Sequence, residues 1–401
     1  MHTRIRRTLI ALAGAALVTT TTPADASVSV SEALVSITPS TATITVNGHG
    51  FGHGHGMSQY GAKGAALNGQ SAAQILAFYY PGTALTPLSA SIKVLITADT
   101  DNNTTVYPER GLRVRDLGNG RTYKLHKKSA RMWRLASKHG HTKVFYKTRH
   151  WHLYKTGHRR SLAGDGEFRS AAGGVTLKLP TGPRKYRGSL RFTNSDTVNV
   201  LNLEKYLRGV VAAEMPSSWP AAALQAQAVA ARTYAARERA DHLDRYYQIC
   251  DTTACQVYGG VKSETPATDA AAAATAGQVL SYGGQFAFAQ FSSSNGGLLS
   301  AGSEPYLVAK ADPWDTAAVD PYFNWTPPST ATSYSVAALR TAYGTGDLTG
   351  VQITEREDAA AADKGRVVTV VLHGSTGDKA LTGAQVRSLL GLRSTYFSIT
   401  P

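Results

Sequence analysis

Long apolar runs are scarce in this sequence of 401 residues. The one near the N-terminus, residues 9–18, follows three arginines and precedes the small-residue signal Ala24-Asp25-Ala26. This order is typical of a secretory signal peptide, so we predict that residues 1–26 are a signal peptide cut after Ala26. No later run is long and apolar enough to span a bilayer, so we expect a secreted mature chain without a transmembrane segment.

Cysteine is equally rare, with only Cys250 and Cys255 in the chain. Two cysteines with no histidine between them cannot complete a structural zinc site. In an exported chain the pair favours a small disulfide, with free thiols or a metal as the alternatives.

Acidic residues are nearly absent between positions 121 and 191, where 19 Lys and Arg stand against Asp165 and Glu167. Six of the 12 histidines and several aromatic residues lie in the same segment. Such a segment is typical of nucleic-acid binding inside a cell, but an exported protein meets anionic wall polymers or phospholipid. We therefore expect anionic wall polymers, and no nucleic acid, as partners; a solvated sheet face is the alternative.

Short alternating strands dominate residues 91–202, and helical patterns occupy residues 57–67, 71–78, 221–244, 265–276, 335–343 and 383–390. These mixed elements predict an α+β fold with mixed and antiparallel sheets, in which the long Ala-rich helix at 221–244 lines a cleft. We divide the mature chain into a Gly/His block with short helices (27–90), a β-rich basic subdomain (91–190) and a main domain (191–401).

Glu214 stands between an apolar segment and this long helix. Because Pro216 disfavours helical geometry in the residue before it, the pattern predicts that no helix has begun at Glu214. Glu214 would then lie beside the N-terminus of the long helix. A glutamate in that place is either a cap or dipole partner, or an acid positioned for chemistry.

Polar side chains interrupt the apolar pattern of the long helix at Gln225, Gln227, Arg232 and Tyr234. Another polar group, on a loop that ends in two glycines, comprises Ser292, Ser294 and Asn295. Polar groups within an apolar helix need partners, which a binding cleft would supply. Helix-to-sheet hydrogen bonds and a plain turn are the respective alternatives.

A glycine-rich loop presents His49, His53 and His55. An open site of three histidines would suit a hydrolytic zinc ion, whereas a turn held by histidine hydrogen bonds is the alternative. No general base is recognisable beside the histidines. We therefore expect neither a metal nor another cofactor.

Five sequence blocks together resemble the SpoIID/LytB family of bacterial cell-wall proteins: LEKYLRGVVAAEMPSSWPAAALQAQAVAARTYA, CDTTACQVYGG, FSSSNGG, GHGHGMSQYGAKG with ILAFYYPGT, and TGAQVRSLLGLRSTYFSI. The resemblance implies a peptidoglycan lytic transglycosylase of the cell wall, linked to sporulation. Such an enzyme cleaves the MurNAc-GlcNAc bond of peptide-free glycan strands and leaves 1,6-anhydroMurNAc ends. The family also includes amidase enhancers, so a non-catalytic wall-binding module that enhances an amidase is the alternative.

By the same resemblance Glu214 is the single catalytic acid/base. Substrate binding would fall to the polar groups named above together with His53, Ser58 and Gln59. The internal C6 hydroxyl of MurNAc closes the ring, so no second carboxylate is needed, whereas a hydrolase needs one about 5 to 10 Å away. The candidates for such a partner are Glu204, Glu304, Asp312 and Asp315, of which Glu204 is expected in a structural salt bridge.

The sequence departs from the family pattern in two ways. The Gly-His-Gly block often follows the Glu block in the family, whereas here it precedes it. The same site can assemble if the two chain ends lie side by side. Some members bind zinc through a histidine before the second cysteine, where this chain has Ala254, so the disulfide is favoured over zinc.

Overall fold

The computed structural model describes residues 27–30, 32–325, 333–357 and 365–400, so the predicted signal peptide lies outside the described residues. Within them the α-helices are α1 (Gln59–Leu67), α2 (Ala72–Tyr79), α3 (Leu203–Glu214), α4 (Ala221–Asp241), α5 (Pro266–Ala274), α6 (Ala337–Tyr343) and α7 (Gly383–Leu390). A short 3-10 helix covers Gly260–Ser263. Among these residues no helix is long and apolar enough to cross a membrane.

The first strands in chain order are β1 (Ser27–Ser29), β2 (Val35–Ser36), β3 (Thr43–Gly48), β4 (Met57–Ser58), β5 (Ala84–Pro87), β6 (Ser91–Leu95), β7 (Thr104–Val106), β8 (Arg113–Asp116), β9 (Thr122–Lys124), β10 (Met132–Lys138), β11 (His141–Lys147), β12 (Trp151–Tyr154), β13 (Gly166–Arg169) and β14 (Gly174–Leu179). The others are β15 (Gly182–Arg187), β16 (Ser189–Thr193), β17 (Asp196–Asn202), β18 (Ile249–Cys250), β19 (Gln278–Tyr282), β20 (Gln285–Phe286), β21 (Phe291–Ser292), β22 (Leu298–Leu299), β23 (Lys310–Ala311), β24 (Ser333–Ser335), β25 (Leu348–Glu357), β26 (Val367–Gly374), β27 (Lys379–Thr382) and β28 (Phe397–Thr400).

The two largest sheets of the described residues lie in the β-rich part of the chain. One has the order β12-β11-β10-β7-β14-β15 and the other β18-β6-β17-β16-β13-β8-β9. Their pairs are antiparallel except for β18 with β6, which is parallel. Helices α3 and α4 pack beside them, which confirms the predicted α+β fold with mixed and antiparallel sheets.

An N-terminal strand and the last strand of the described chain pair in one sheet. Strand β28 pairs antiparallel with β3, which brings Phe397 opposite Gly48. Strands β3, β25 and β26 share an apolar core with α6 and α7. The Gly/His loop that follows β3 is therefore anchored to the C-terminal part of the chain, as the reversed block order requires.

Helix α3 corrects the placement of Glu214. The sequence pattern predicted no helix at this residue, but Glu214 is the last residue of α3 and lies at a C-terminal end. Asn202 caps the helix by accepting the Glu204 N–H at 2.9 Å. The buried side chains recur at helical spacing: Leu203, Tyr206, Leu207, Val210 and Val211. Pro216 therefore follows the end of a helix, whereas the sequence pattern predicted that no helix comes before it in this region.

Candidate active site

A cavity of about 520 Å³ opens beside the C-terminal end of α3. Glu214 lies in its wall, together with Tyr234 of α4. Four further chain segments complete the wall, mainly through Phe51, His53, Thr253, Phe291, Ser292 and Arg387. Polar, aromatic and cationic groups thus surround one glutamate.

Glu214 is held by two hydrogen bonds. Its Oε1 accepts the backbone N–H of Val257 at 2.8 Å, and the Gln59 side chain also bonds to the carboxylate. Burial raises the pKa of Glu214 above its usual value, and these two hydrogen bonds oppose the shift. The C-terminal end of α3 carries partial negative charge and therefore acts in the same direction as burial. Glu214 is thus suited to keep a proton toward neutral pH.

Gln59 links Glu214 to the long helix α4. As the first residue of α1, it donates through Nε2 to Gln227 Oε1 at 3.4 Å while also bonding to Glu214. Both glutamines are buried, and neither lines the cavity. They therefore position the carboxylate and do not touch the space where a ligand would lie.

The Gly/His loop is held against residues 290–294 by backbone hydrogen bonds. Phe51 and Ser294 exchange two of them, at 2.9 and 3.1 Å, and β4 pairs in parallel with β21. Gly52, with a φ of 114°, comes so close that an added Cβ would lie 2.6 Å from Ser292 Cβ. Glycine is therefore required here for the loop to reach the cavity.

His53 is a neutral part of the cavity wall. Burial lowers its pKa to about 3, and the neighbouring His55 and Arg366 act in the same direction. Its Nδ1 accepts the His55 backbone N–H at 3.0 Å, and the two rings stack with centroids 5.0 Å apart. His49 instead hydrogen-bonds to the Phe323 carbonyl at 3.0 Å. Within the described parts of the chain, no three His, Cys, Asp or Glu residues are grouped to hold a metal ion.

Three buried aspartates support this wall from behind: Asp312, Asp315 and Asp320. The Ser58 hydroxyl donates to Asp315 at 2.7 Å, the Asn295 amide donates to Asp312 at 2.7 Å, and Ser294 donates to Asp320. None of these three donors lines the cavity. We predicted that Ser58, Ser294 and Asn295 contact the substrate. The structure instead places them outside the cavity wall, with their polar atoms bonded to the aspartates.

We expect Asp315→Asn to flatten the pH dependence of stability. Burial, followed by the charge of Asp320, raises the pKa of Asp315 well above its usual range. A raised folded-state pKa contributes stability below the unfolded pKa of about 4, and this contribution is lost as the pH rises through the folded value. The urea concentration at the unfolding midpoint of the wild type should decrease as the pH is raised from about 5 to about 8. The decrease should be smaller in the variant. An equal fall in both proteins would contradict this prediction.

Arg232 lies in the core and not in the cavity wall. It is fully buried, and its guanidinium donates to both carboxylate oxygens of Glu204 at 2.9 and 2.8 Å. It also donates to the carbonyls of Ala272 and Gln278 at 3.0 and 3.2 Å. The predicted substrate contact of Arg232 is therefore replaced by its alternative, helix-to-sheet hydrogen bonding, and Glu204 forms the expected salt bridge. Gln225 is half-buried and does not line the cavity.

Glu214 is the one carboxylate among the described residues that line the cavity. The four other candidate carboxylates lie elsewhere: Glu204, Glu304, Asp312 and Asp315. Glu304 lies 3.8 Å from Arg237, and the two aspartates belong to the buried cluster. The cavity therefore offers one acid and no carboxylate partner from its described wall.

Cys250 and Cys255 form a disulfide, with their Cα atoms 5.5 Å apart. The short loop that they close contributes Thr253, Ala254 and Cys255 to the cavity wall. Two residues later, Val257 donates its N–H to the catalytic candidate. The disulfide thus constrains the wall directly beside Glu214.

Several residues of the wall were not predicted from the sequence, among them Phe51 and Arg387. Arg387 of α7 donates through Nε to the Leu392 carbonyl at 3.3 Å, and no described carboxylate forms a salt bridge with it. Its place in the block TGAQVRSLLGLRSTYFSI was the signal that could have found it. Phe51, between two glycines, gave no comparable signal.

Comparison with known proteins gives several matches. A family model, SpoIID, described as stage II sporulation protein, matches residues 192–282. The chain is 32% identical over 254 residues to stage II sporulation protein D of Bacillus subtilis (strain 168), covering 57% of this chain and 68% of that protein. It is 33% identical over 227 residues to stage II sporulation protein D of Bacillus amyloliquefaciens, covering 51% and 62% of the two chains.

The amidase enhancer of Bacillus subtilis (strain 168) is also similar, at 44% identity over 126 residues. That alignment covers 30% of this chain but only 16% of the enhancer, so the chain spans a minor part of that relative. The family-model match ends at residue 282 and includes α3, with Glu214, and the whole of α4. Together with the 32% identity over 68% of a sporulation protein D, this match shows that the chain belongs to the SpoIID family.

Proposed function

We propose that this protein is an exported lytic transglycosylase of cell-wall peptidoglycan, with Glu214 as its single acid/base. The observation that carries the proposal is one half-buried glutamate of raised pKa, alone among carboxylates in the described wall of a cavity. A retaining or inverting hydrolase would need a second carboxylate nearby. A transglycosylase does not, because its nucleophile is a hydroxyl of the substrate.

The reaction uses Glu214 twice. Its protonated carboxyl donates to the glycosidic oxygen as the bond from MurNAc C1 to that oxygen breaks. The C6 hydroxyl oxygen of the same MurNAc then bonds to C1, and its proton passes to the carboxylate. Glu214 returns to its starting state, and no water is consumed. The Val257 N–H, at 2.8 Å, stabilises the intervening carboxylate.

The remaining wall residues would bind the sugars. Tyr234 presents a half-buried ring that stacks on Phe288 with centroids 5.5 Å apart, and Phe51 is 39% exposed. Such rings pack against the apolar faces of sugar rings, while Ser292 can bond to hydroxyl or acetamide groups. His53 is neutral by virtue of its burial and would contribute shape, not charge.

Arg387 would recognise a negative charge on the substrate. In a glycan strand without stem peptides the lactyl group of MurNAc ends in a free carboxylate, which a guanidinium binds well. We expect Arg387→Gln to raise KM for peptide-free strands by about tenfold, the worth of one exposed charge-assisted contact, and to change kcat little. Steady-state kinetics on peptide-free and peptide-bearing strands would measure this. A loss confined to kcat would contradict the binding role.

The proposal is tested by analysing the ends of glycan strands after digestion with the purified protein. A transglycosylase releases 1,6-anhydroMurNAc ends, and a hydrolase releases reducing ends. The second candidate, a wall-binding module that enhances an amidase, is favoured by the similarity to an amidase enhancer. In that case no glycan bond would be cleaved, and the protein would instead accelerate release of stem peptides by an added amidase.

A further inference from the structure

Residues 121–160 form a cationic segment without a single acidic residue. They contain 13 Lys and Arg and all six histidines of the basic region. They fold as strand β9, which pairs with β8, the three-stranded meander β10-β11-β12 and the loops between these strands. None of the 13 forms a salt bridge with any described residue, whereas five of the six that follow, between 169 and 191, do. The segment also lies outside the family-model match.

The strand register places four of these cations on one face of the meander. Arg134 lies opposite Phe145, and Lys138 lies opposite His141. Lys143 and Lys147 alternate with Phe145 on the same side of β11, since side chains two apart share a face. The opposite face carries the buried core residues Trp133, Leu135 and Val144. The cations of the outer face therefore point away from the core.

The Trp151 ring of this face is already covered by two of the protein's own cations. The Arg134 guanidinium lies 3.9 Å from the Trp151 ring centroid, and Lys147 Nζ lies 5.8 Å from it. On the other face, Tyr146 stacks on His152 with centroids 5.1 Å apart. Single-stranded nucleic acids stack their bases on exposed aromatic rings, but none of the Phe, Tyr and Trp side chains in the described residues 121–160 is exposed. Nor do the described residues 121–160 contain an exposed large apolar side chain, which a membrane surface would bind.

We propose that the outer face of β10-β11-β12 binds a phosphodiester-linked polyol chain of the cell wall. Such a chain presents regularly spaced phosphates and no bases or acyl tails. It therefore matches a surface of unpaired cations without stacking platforms or apolar anchors. Each phosphate that a cation neutralises releases a counterion and makes the affinity fall with salt. The wall as source rests on the proposed function, whereas the binding chemistry rests on the face itself.

The test measures binding of poly(glycerol phosphate) to the full chain at increasing salt. The variant is the triple substitution of Lys138, Lys143 and Lys147 to glutamine, and the matched control replaces the exposed Lys205, Lys262 and Lys379 in the same way. Because the variant lacks three cations that would each neutralise a phosphate, we expect it to bind at least about tenfold more weakly, with a shallower salt slope. The control should retain the wild-type affinity and slope.

Two further arms separate this proposal from the catalytic one. Glu214→Gln should bind the polymer as the wild type does, and the lysine variant should still cleave soluble glycan strands at the wild-type rate. An equal fall in affinity for the lysine variant and its matched control would overturn the assignment to this face. Tighter binding of single-stranded DNA or of anionic phospholipid vesicles than of the polymer, at equal ionic strength, would overturn the choice of ligand.

Discussion

Glu214→Gln is expected to slow glycan cleavage by on the order of a thousandfold, because in the proposed mechanism one group supplies both proton transfers. The amide can still accept the Val257 N–H through its oxygen, so the fold and the cavity wall should be retained. The release of new strand ends from peptide-free glycan, followed under single-turnover conditions, measures the effect. Thermal unfolding of the variant, close to that of the wild type, would show that the loss is chemical.

The matched control is Glu304→Gln, which removes a carboxylate outside the cavity wall and should leave the rate unchanged. The pH profile gives a second check. Because burial raises the pKa of Glu214, the rate should fall as the pH rises through that value, since the protonated form that donates is lost. Near-normal activity of Glu214→Gln, or a comparable loss in Glu304→Gln, would show that another group is the acid.

Arg232→Met is expected to lower the free energy of unfolding by about 3 to 5 kcal/mol. The substitution removes both hydrogen bonds to Glu204 and leaves this carboxylate, whose side chain is 34% exposed, with the Gly277 N–H at 3.1 Å but without its charged partner. It also leaves the Ala272 and Gln278 carbonyls without this donor. Urea unfolding measures the loss as a lower midpoint with an unchanged slope.

The control on the same helix is Gln225→Ala, which should change stability by no more than about 0.5 kcal/mol because its side chain is half-buried and bridges no carboxylate. Below its unfolding temperature, Arg232→Met should bind glycan strands with a nearly normal KM. A stable variant with a strongly raised KM would return Arg232 to the substrate site.

The sequence carried the broad fold because its periodicities are local. The amphipathic spacing of α7 and the Ala-rich run of α4 fix helices without reference to the rest of the chain. Helix α3 escaped prediction although Leu203, Leu207 and Val211 recur at helical spacing. Their β-branched and alternating upstream neighbours suggest a strand, and a proline such as Pro216 can precede a helix as readily as it follows one.

The site was harder to predict because its residues are chosen by which side chains are buried and by pairing between strands far apart in the sequence. From the sequence blocks we predicted that Glu214, His53 and Tyr234 belong to one site. In the structure all three line one cavity. The same blocks could not show which polar residues face the cavity and which face the core, as with Arg232. Arg387 reaches the cavity only because the C-terminal strands pair with β3, an interaction between residues more than 300 positions apart.

The proposed mechanism requires Glu214 to drive internal ring closure without water. It is tested most directly by digesting peptide-free glycan strands in water enriched in heavy oxygen and weighing the new ends by mass spectrometry. We expect ends that are lighter than a reducing MurNAc by one water and carry no heavy oxygen. New reducing ends that contain one heavy oxygen atom each would identify a hydrolase and contradict the proposed mechanism.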